Sequence, residues 1–446
     1  MILRSKKLCI FALLFLIHHQ DGDASGFQIR EQSALGQGNS FAGIAAGSHD
    51  ANAIFFNGAS MTLYDRNTLS SSASVIHFSG DYNNGNSSTI SGSLIEGSGT
   101  FKHETSRVPA ISAVYSWADN LKFGINVSAP WGLKTNYDHN WVGRYYAIQS
   151  ELRSININPL LAFKVNNKFS YSIGIQAQYL EVEIDNAIDF GTLGFLNSVP
   201  GAIPASTNQD GFVSIKGDDW GFGWTAGFLF ETSPTTKLGI AYRSKISYQL
   251  KGKADFRLDP QGIGATLSGA TDAFINTDSF SRIETPEFIT FGIRHDINKS
   301  WSIMSEFDFT RWSRVDQLVI QFENPSQSNN ITNLKWDDTW FASFGIEYRP
   351  NDRLQLRGGI AYEEGASSNE FRSPRVPDAD RYWFSLGGTY AINNHIKVHG
   401  AYSHLNLDDP TLVLSTSSEP NVSRGNLVGE YDVHANILAF GISFIL

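Results

Sequence analysis

Four basic residues, Arg243, Lys245, Arg294 and Arg357, share a parity in alternating segments with four acidic ones, Glu306, Asp308, Glu347 and Glu363. A desolvated cation is what a carboxylate ligand requires, which makes Arg243, Lys245 and Arg357 candidates to meet a headgroup. Ion pairs among the eight are the competing explanation. Pro130 is the other sharp feature, set beside Trp131 and Gly132 in a stretch that otherwise reads as strand. Proline has no N–H to give to a ladder and is confined to sheet edges, strand ends or bulges. Covalent and metal chemistry find no support. There is no G-x-S-x-G, HExxH or Walker pattern, and the eleven histidines show no ligand-like spacing. No metal, cofactor or catalytic residue is expected, and an enzyme is not.

The elements that hold these residues are strands. In 237–250, Leu238, Ile240, Tyr242, Ile246, Tyr248 and Leu250 fall on one face, while Lys237, Gly239, Ala241, Arg243, Lys245 and Ser247 fall on the other. Comparable alternation marks fourteen segments: 68–81, 107–117, 121–133, 149–165, 168–185, 218–231, 237–251, 282–297, 300–323, 338–349, 352–363, 380–391, 395–405 and 432–446. Alternation alone also fits a soluble sandwich. The connections do not, because they sort strictly into tight turns after even-numbered strands and long loops after odd-numbered ones. Short turns on one rim and long loops on the other define an outer-membrane barrel. The expected fold is therefore all-β, a 14-stranded antiparallel transmembrane β-barrel, closed so that no sheet edge faces hydrocarbon. In a wall without edges, Pro130 must open a gap or bulge over Ala129, Pro130, Trp131 and Gly132.

Composition agrees. Aromatics are 13%, charged residues only 17%, and glycines number 40. A net charge of −10 argues against nucleic-acid binding. Arg4, Lys6 and Lys7, the apolar run 8–17, and Gly22 and Ala24 before residue 25 read as a secretory leader over 1–24. Cys9, the one cysteine, lies within it, so no disulfide is expected. Residues 25–66 are rich in Gly, Ala and Ser and lack alternation, and they precede the first strand on the periplasmic side. They are too few to form a core of their own and are expected to fill the lumen as a plug; a disordered tail is the alternative. Residues 67–446 form the barrel. The third long loop carries Phe190, Leu193, Phe195, Leu196, Val199 and Ile203. Apolar residues on an extracellular loop suggest a landing site for a hydrophobic ligand, or simply packing within the loop.

Four segments resemble one family. Ser25-Gly-Phe-Gln28, Asn57-Gly-Ala59 with Met61-Thr-Leu-Tyr-Asp-Arg66, Asp219-Trp-Gly-Phe-Gly-Trp224 and Pro377-Asp-Ala-Asp-Arg-Tyr-Trp383 resemble motifs of the long-chain fatty-acid transporters of the outer membrane. That family includes the aromatic-hydrocarbon uptake channels. The resemblance implies uptake of hydrophobic molecules, with long-chain fatty acids first and aromatic or aliphatic hydrocarbons as the alternative. It implies a plug carrying Asn57, Gly58 and Ala59, with Gly58 standing where the family has proline. It implies that Phe27 touches ligand, that the third and fourth long loops form a surface groove, and that ligand leaves sideways through the third-strand kink. Sideways exit is physically economical. Each buried CH₂ is worth roughly 0.8 kcal/mol, so water would oppose release of a long acyl chain by on the order of 10 kcal/mol. Implied partners are the ligand, outer-membrane lipid and the barrel assembly machinery, for which Phe444 stands near the end of a chain closing in Leu446. A monomer in the bacterial outer membrane is expected. A general aqueous porin is the reading from another class, followed by a surface lipase and an adhesin.

Overall fold

The computed structural model describes residues 26–446 except 49, 93, 96–98, 101–103 and 419–420. The leader expected over 1–24 lies outside the described residues. Fourteen strands form the wall: β1 Thr68–Asn84, β2 Glu104–Ala118, β3 Leu121–Ser128 with Gly132–Asn136, β4 Gln149–Asn166, β5 Phe169–Asp189, β6 Asp210–Ser233, β7 Thr236–Arg243 with Ile246–Arg257, β8 Thr277–Thr285 with Phe288–Asp296, β9 Trp301–Thr310 with Gln317–Phe322, β10 Asn330–Asn333 with Thr339–Tyr348, β11 Leu354–Glu363, β12 Arg381–Ala391, β13 Ile396–Leu407 and β14 Leu427–Ile445. Each pairs antiparallel with the next. Seventeen consecutive pairs, from Thr68↔Ile445 to Asn84↔Gly429, close β14 onto β1. All fourteen fall where the alternation and loop lengths place them.

The wall is apolar outside and polar inside. Ile175, Phe222, Ile360, Phe384, Leu386 and Phe440 are exposed on the outer face, whereas Ser70, Asn126, Asn156, Gln176 and Ser172 are buried. That inversion suits strands whose outer face meets lipid.

Four walls of the barrel break where the sequence reads them as continuous or leaves them as loop. β7 pairs with β6 through Thr225↔Arg243 and, further up, through Asp218↔Lys251. Between those pairs β7 holds one residue more than β6, a bulge that flips the side-chain parity. Arg243 and Ile246 therefore both point inward and are buried. The expected faces of 237–250 are corrected accordingly. Ile246, Tyr248 and Leu250 line the interior, and Lys245 points out of the barrel, where it pairs with Glu284 at 2.9 Å. In β9, a 3₁₀ turn over Trp312–Arg314 interrupts the expected run 300–323 and drives Trp312 into the interior. β8 breaks at Pro286 and β10 at 334–338, at the same height.

Residues 26–64 occupy the lumen as short turns. The helical turn Ala34–Gln37 packs on β12, β13 and β14, the turn Ile44–Ala46 on β7 and β8, and the turn Gly58–Leu63 on β4, β5 and β6. Side-chain caps satisfy the turn ends. Ser33 accepts from the Gly36 N–H, Asp50 from Asn52, and Asn57 Oδ1 from Ala59 at 2.9 Å. Asn57 Nδ2 also donates to the Ala45 and Phe228 carbonyls at 2.7 and 3.0 Å, tying two turns to β6. A Cβ at Gly58 would meet Leu160 Cδ2 at 2.7 Å and Ser172 Oγ at 2.8 Å, so the turn lies flat against the wall. Arg30 is ion-paired with Asp308 and lies 3.7 Å above the Phe341 ring.

Candidate functional site: the strand break and the cavity behind Phe27

The third strand stops at Ser128 and resumes at Gly132. Its pairing with β2 ends at Ile111↔Val127. Above that pair, β2 has no partner on this side among the described residues, and Pro109, which lacks an N–H, lies in that free stretch. The freed backbone groups of 129–132 are nearly all accounted for. Ile29 N–H donates to the Pro130 carbonyl at 2.8 Å, and Gly132 N–H donates to the Phe27 carbonyl at 2.9 Å. Gln32 accepts from Ala129 N–H at 3.3 Å and donates to its carbonyl at 2.7 Å. Ser154 Oγ accepts from Trp131 N–H at 2.9 Å and donates back to the Trp131 carbonyl at 2.6 Å. The chain from Phe27 to Ile29 thus acts as a short substitute strand laid against the break from inside. Gly132 permits it, because a Cβ there would run into Ile29 Cδ1.

This pairing delivers Phe27 to an aromatic cage. Its ring centroid lies 5.7 Å from Trp131, 4.9 Å from Trp312 and 5.7 Å from Trp336. Trp131 comes from the β3 break, Trp312 from the β9 turn and Trp336 from the β10 break. The indole N–H groups of Trp312 and Trp336 are buried without a hydrogen-bond partner. Beside Phe27 lies an apolar cavity of about 80 Å³, lined by Leu133, Leu152, Val182, Ile184 and Leu334 among others, with Ser150, Glu151 and Arg375 in its polar lining.

Arg375 is buried and hydrogen-bonded to neutral groups, with the Asp185 carboxylate nearby. Nη1 donates to Ser150 Oγ at 2.9 Å and to the Gln149 carbonyl at 3.2 Å, and Nη2 donates to Asn186 Oδ1 at 3.0 Å. Burial, with the nearby Arg424, brings its pKa down to about 9. A desolvated guanidinium lining an apolar cavity has the chemistry to receive an anion.

The cations expected from strand parity lie elsewhere. Arg243 holds the plug, with Gln176 and the Phe55 carbonyl as partners and its guanidinium 4.3 Å above the Phe55 ring. Arg357 is bound to Glu347 at 2.9 Å, and Arg294 joins the same carboxylate at 2.8 Å, an interior ion-pair ladder. Lys245 is outside the wall. None of the four lines the cavity. Arg375 sits in the loop after β11, where alternation carries no information; the nearest signal was the Pro377–Trp383 motif two residues on.

The loops hold a second, larger cavity of about 550 Å³, lined by Ile188, Leu193, Phe256, Phe274, Phe322 and Arg424 among others. The expected landing residues separate. Leu193 lines this cavity. Phe190 is fully buried against Ile263 and Leu267, with Phe274 at 5.0 Å, and knits the third loop to the fourth. Phe195 and Leu196 are exposed and line neither cavity, since the helix Phe190–Leu196 turns them away. Phe190 thus packs within the loops, while Phe195 and Leu196 lie on their surface.

A closed barrel with a filled lumen and a broken third strand defines a class of outer-membrane channel. The model of the outer membrane protein transport protein family (OMPP1/FadL/TodX) matches residues 16–445, and the chain belongs to that family. It is an outer-membrane transport protein. It is 29% identical over 442 residues to a putative outer membrane protein of Neisseria meningitidis, covering 94% of each chain. It is 27% identical to the long-chain fatty acid transport protein of Escherichia coli, covering 86% of this chain and 88% of that one. Among solved structures, a Pseudomonas aeruginosa FadL homologue superposes with a TM-score of 0.85 at 22% identity, covering 94% and 99% of the two chains. The Pseudomonas putida toluene transporter TodX superposes at 0.70 and 16%, covering 95% and 99%.

Proposed function

We propose that the protein takes up long-chain fatty acids, which dock among the extracellular loops, pass to the cavity behind Phe27 and leave through the break in β3. The observation that carries this reading is Arg375, a buried cation that lines an apolar cavity and is hydrogen-bonded there to neutral groups. It suits one carboxylate on a long apolar tail. The relatives named as fatty acid transport proteins support the same substrate class.

The cavity also bears on mechanism. At about 80 Å³ it is far below the roughly 300–1,000 Å³ of an occupied ligand site. Phe27 must therefore leave its cage before a long chain fits, and its departure withdraws Phe27–Ile29 from the β3 break. Binding and opening are one motion on this reading, with 25–66 as the plug and Asn57, Gly58 and Ala59 as the turn that stays anchored. Lateral release keeps the tail out of water throughout.

A monoaromatic hydrocarbon, the substrate named for TodX, would suit the tryptophan cage but would make no use of the Arg375 charge. Titrating purified wild type and Arg375→Met with oleate and with toluene separates the two. The expected loss for oleate is about 1.5–3 kcal/mol, the worth of a charged hydrogen bond, with toluene unaffected. Equal oleate affinity in the two proteins would remove the fatty-acid reading. Planar-bilayer recording tests the porin alternative, for which steady conductance with the plug in place is required.

A further inference from the structure

The wall opens in a second place. β8 and β9 pair through Ser279↔Phe322, Phe280↔Gln321 and Ser281↔Ile320 above. They pair again from Phe288↔Thr310 downward, with Arg311 N–H donating to the Glu287 carbonyl at 3.0 Å. Between these, 283–286 on one strand and 312–318 on the other are not paired with each other. Each remains paired on its far side, Gln249↔Arg282 to Ile246↔Thr285 with β7 and Gln317↔Asn333 with β10. The split therefore belongs to this one seam.

On the outside the seam is a cleft of about 440 Å³ lined by Arg282, Glu284, Arg314, Asp316 and Val319 among others. Ile283, Val315 and Gln317 line both this cleft and the cavity behind Phe27, so these side chains form the partition between them. Directly below, Tyr242, Ile289, Phe309 and Trp340 are cross-strand neighbours in one outward-facing row. An outward aromatic row marks the membrane interface, which puts the cleft at headgroup level. Its rim carries Lys245, Arg282, Arg311 and Arg314 against Glu284, Glu287 and Asp316. Arg282 keeps only a loose contact with Glu284 at 3.6 Å and is largely exposed.

We propose that this seam is a second, bilayer-facing doorway to the cavity. Its occupant is a single-chain anionic amphiphile dissolved in the outer leaflet. The tail threads past Ile283 and Val315, while the head rests against Arg282 and Arg314. The polar rim disfavours a bare hydrocarbon there. The doorway would let the transporter load from the membrane as well as from the loop cavity. This inference rests on the cavity taking fatty acids, as proposed above.

The test uses cysteine variants blocked after folding, since Cys9 is the only native cysteine. Val319→Cys and, separately, Asp316→Cys place a thiol in the outer cleft without altering the cavity lining. Each is reconstituted in lipid vesicles, with or without a bulky maleimide, and mixed with vesicles carrying a brominated fatty acid. Quenching of the cavity tryptophans then gives both a rate and an endpoint. Blocking either site should slow quenching about tenfold, as expected for closing a gate, and leave the endpoint unchanged. An unchanged rate in both blocked proteins overturns the doorway. Absence of quenching in unmodified wild type at equilibrium would instead overturn the fatty-acid reading itself.

Discussion

The barrel is broken at two seams, and the two are managed differently. At the β3 break the exposed backbone is met by another piece of backbone, with Ile29 and Phe27 hydrogen-bonded to Pro130 and Gly132. At the β8–β9 seam no such segment is supplied, and the opening is bridged by side chains, Arg311 and Arg314 reaching Glu287 at 3.2 and 2.8 Å. The first closure is cooperative with the plug, because Phe27–Ile29 cannot leave without emptying the tryptophan cage. The second is local, made of partly exposed ion pairs that are individually weak. A wall closed by the plug opens when the plug moves; a wall closed by surface side chains is ajar already. On the proposed function, the β3 break is the regulated route.

The largest effect should come from removing the first break. Rebuilding 129–132 as a regular ladder, with no proline or glycine, should cut oleate uptake in cells by about a hundredfold or more, as loss of an obligatory gate does. The barrel should still fold, as judged by its far-ultraviolet spectrum. Unchanged uptake would erase the distinction between the seams.

Next comes Phe27→Ala. Truncating a buried aromatic costs about 3–5 kcal/mol, enough to unseat Phe27–Ile29. Amide exchange at Ile29 and Gly132 should rise together, while Ala59, capped by Asn57, stays protected. Exchange rising equally at all three would mean that the plug moves as one body and that the substitute strand is not a separate element.

The smallest effect is expected at the second seam. Glu287→Gln removes the shared partner of Arg311 and Arg314. Exposed pairs of this kind contribute roughly 0.2–1 kcal/mol, so thermal stability should shift by a degree or two at most, with no change in exchange at Ile29. A large loss of stability would show that the β8–β9 seam is held as firmly as the other.

Much of the wall was legible because two periodicities reinforce each other there. Side chains alternate along each strand, and loop lengths alternate between strands. The breaks in β7 to β10 escaped for a specific reason. Above the bulge at Ser244–Lys245 the interior itself is apolar, with Ile246, Tyr248 and Leu250 facing in. A one-residue parity flip thus leaves the hydrophobic count on each face looking regular. Trp312 and Trp336 of the cage and Arg375 of the cavity lining sit in those breaks or in a loop, where parity says nothing. Pro130 was legible because proline breaks a rule wherever it lies in a closed sheet. Phe27 was visible only through resemblance, since nothing in its neighbours predicts a partner more than a hundred residues away.

The central claim is that Phe27–Ile29, lying on the β3 break, is the gate. Gln28 and Trp131 face each other as an isolated antiparallel bridge, flanked by the Ile29–Pro130 and Gly132–Phe27 hydrogen bonds. That makes them a non-hydrogen-bonded pair, whose Cα atoms lie about 4.5 Å apart, within the span of a disulfide. Oleate uptake by Gln28→Cys/Trp131→Cys should fall to background when the pair is oxidised and return on reduction. Undiminished uptake through the oxidised protein would contradict the account.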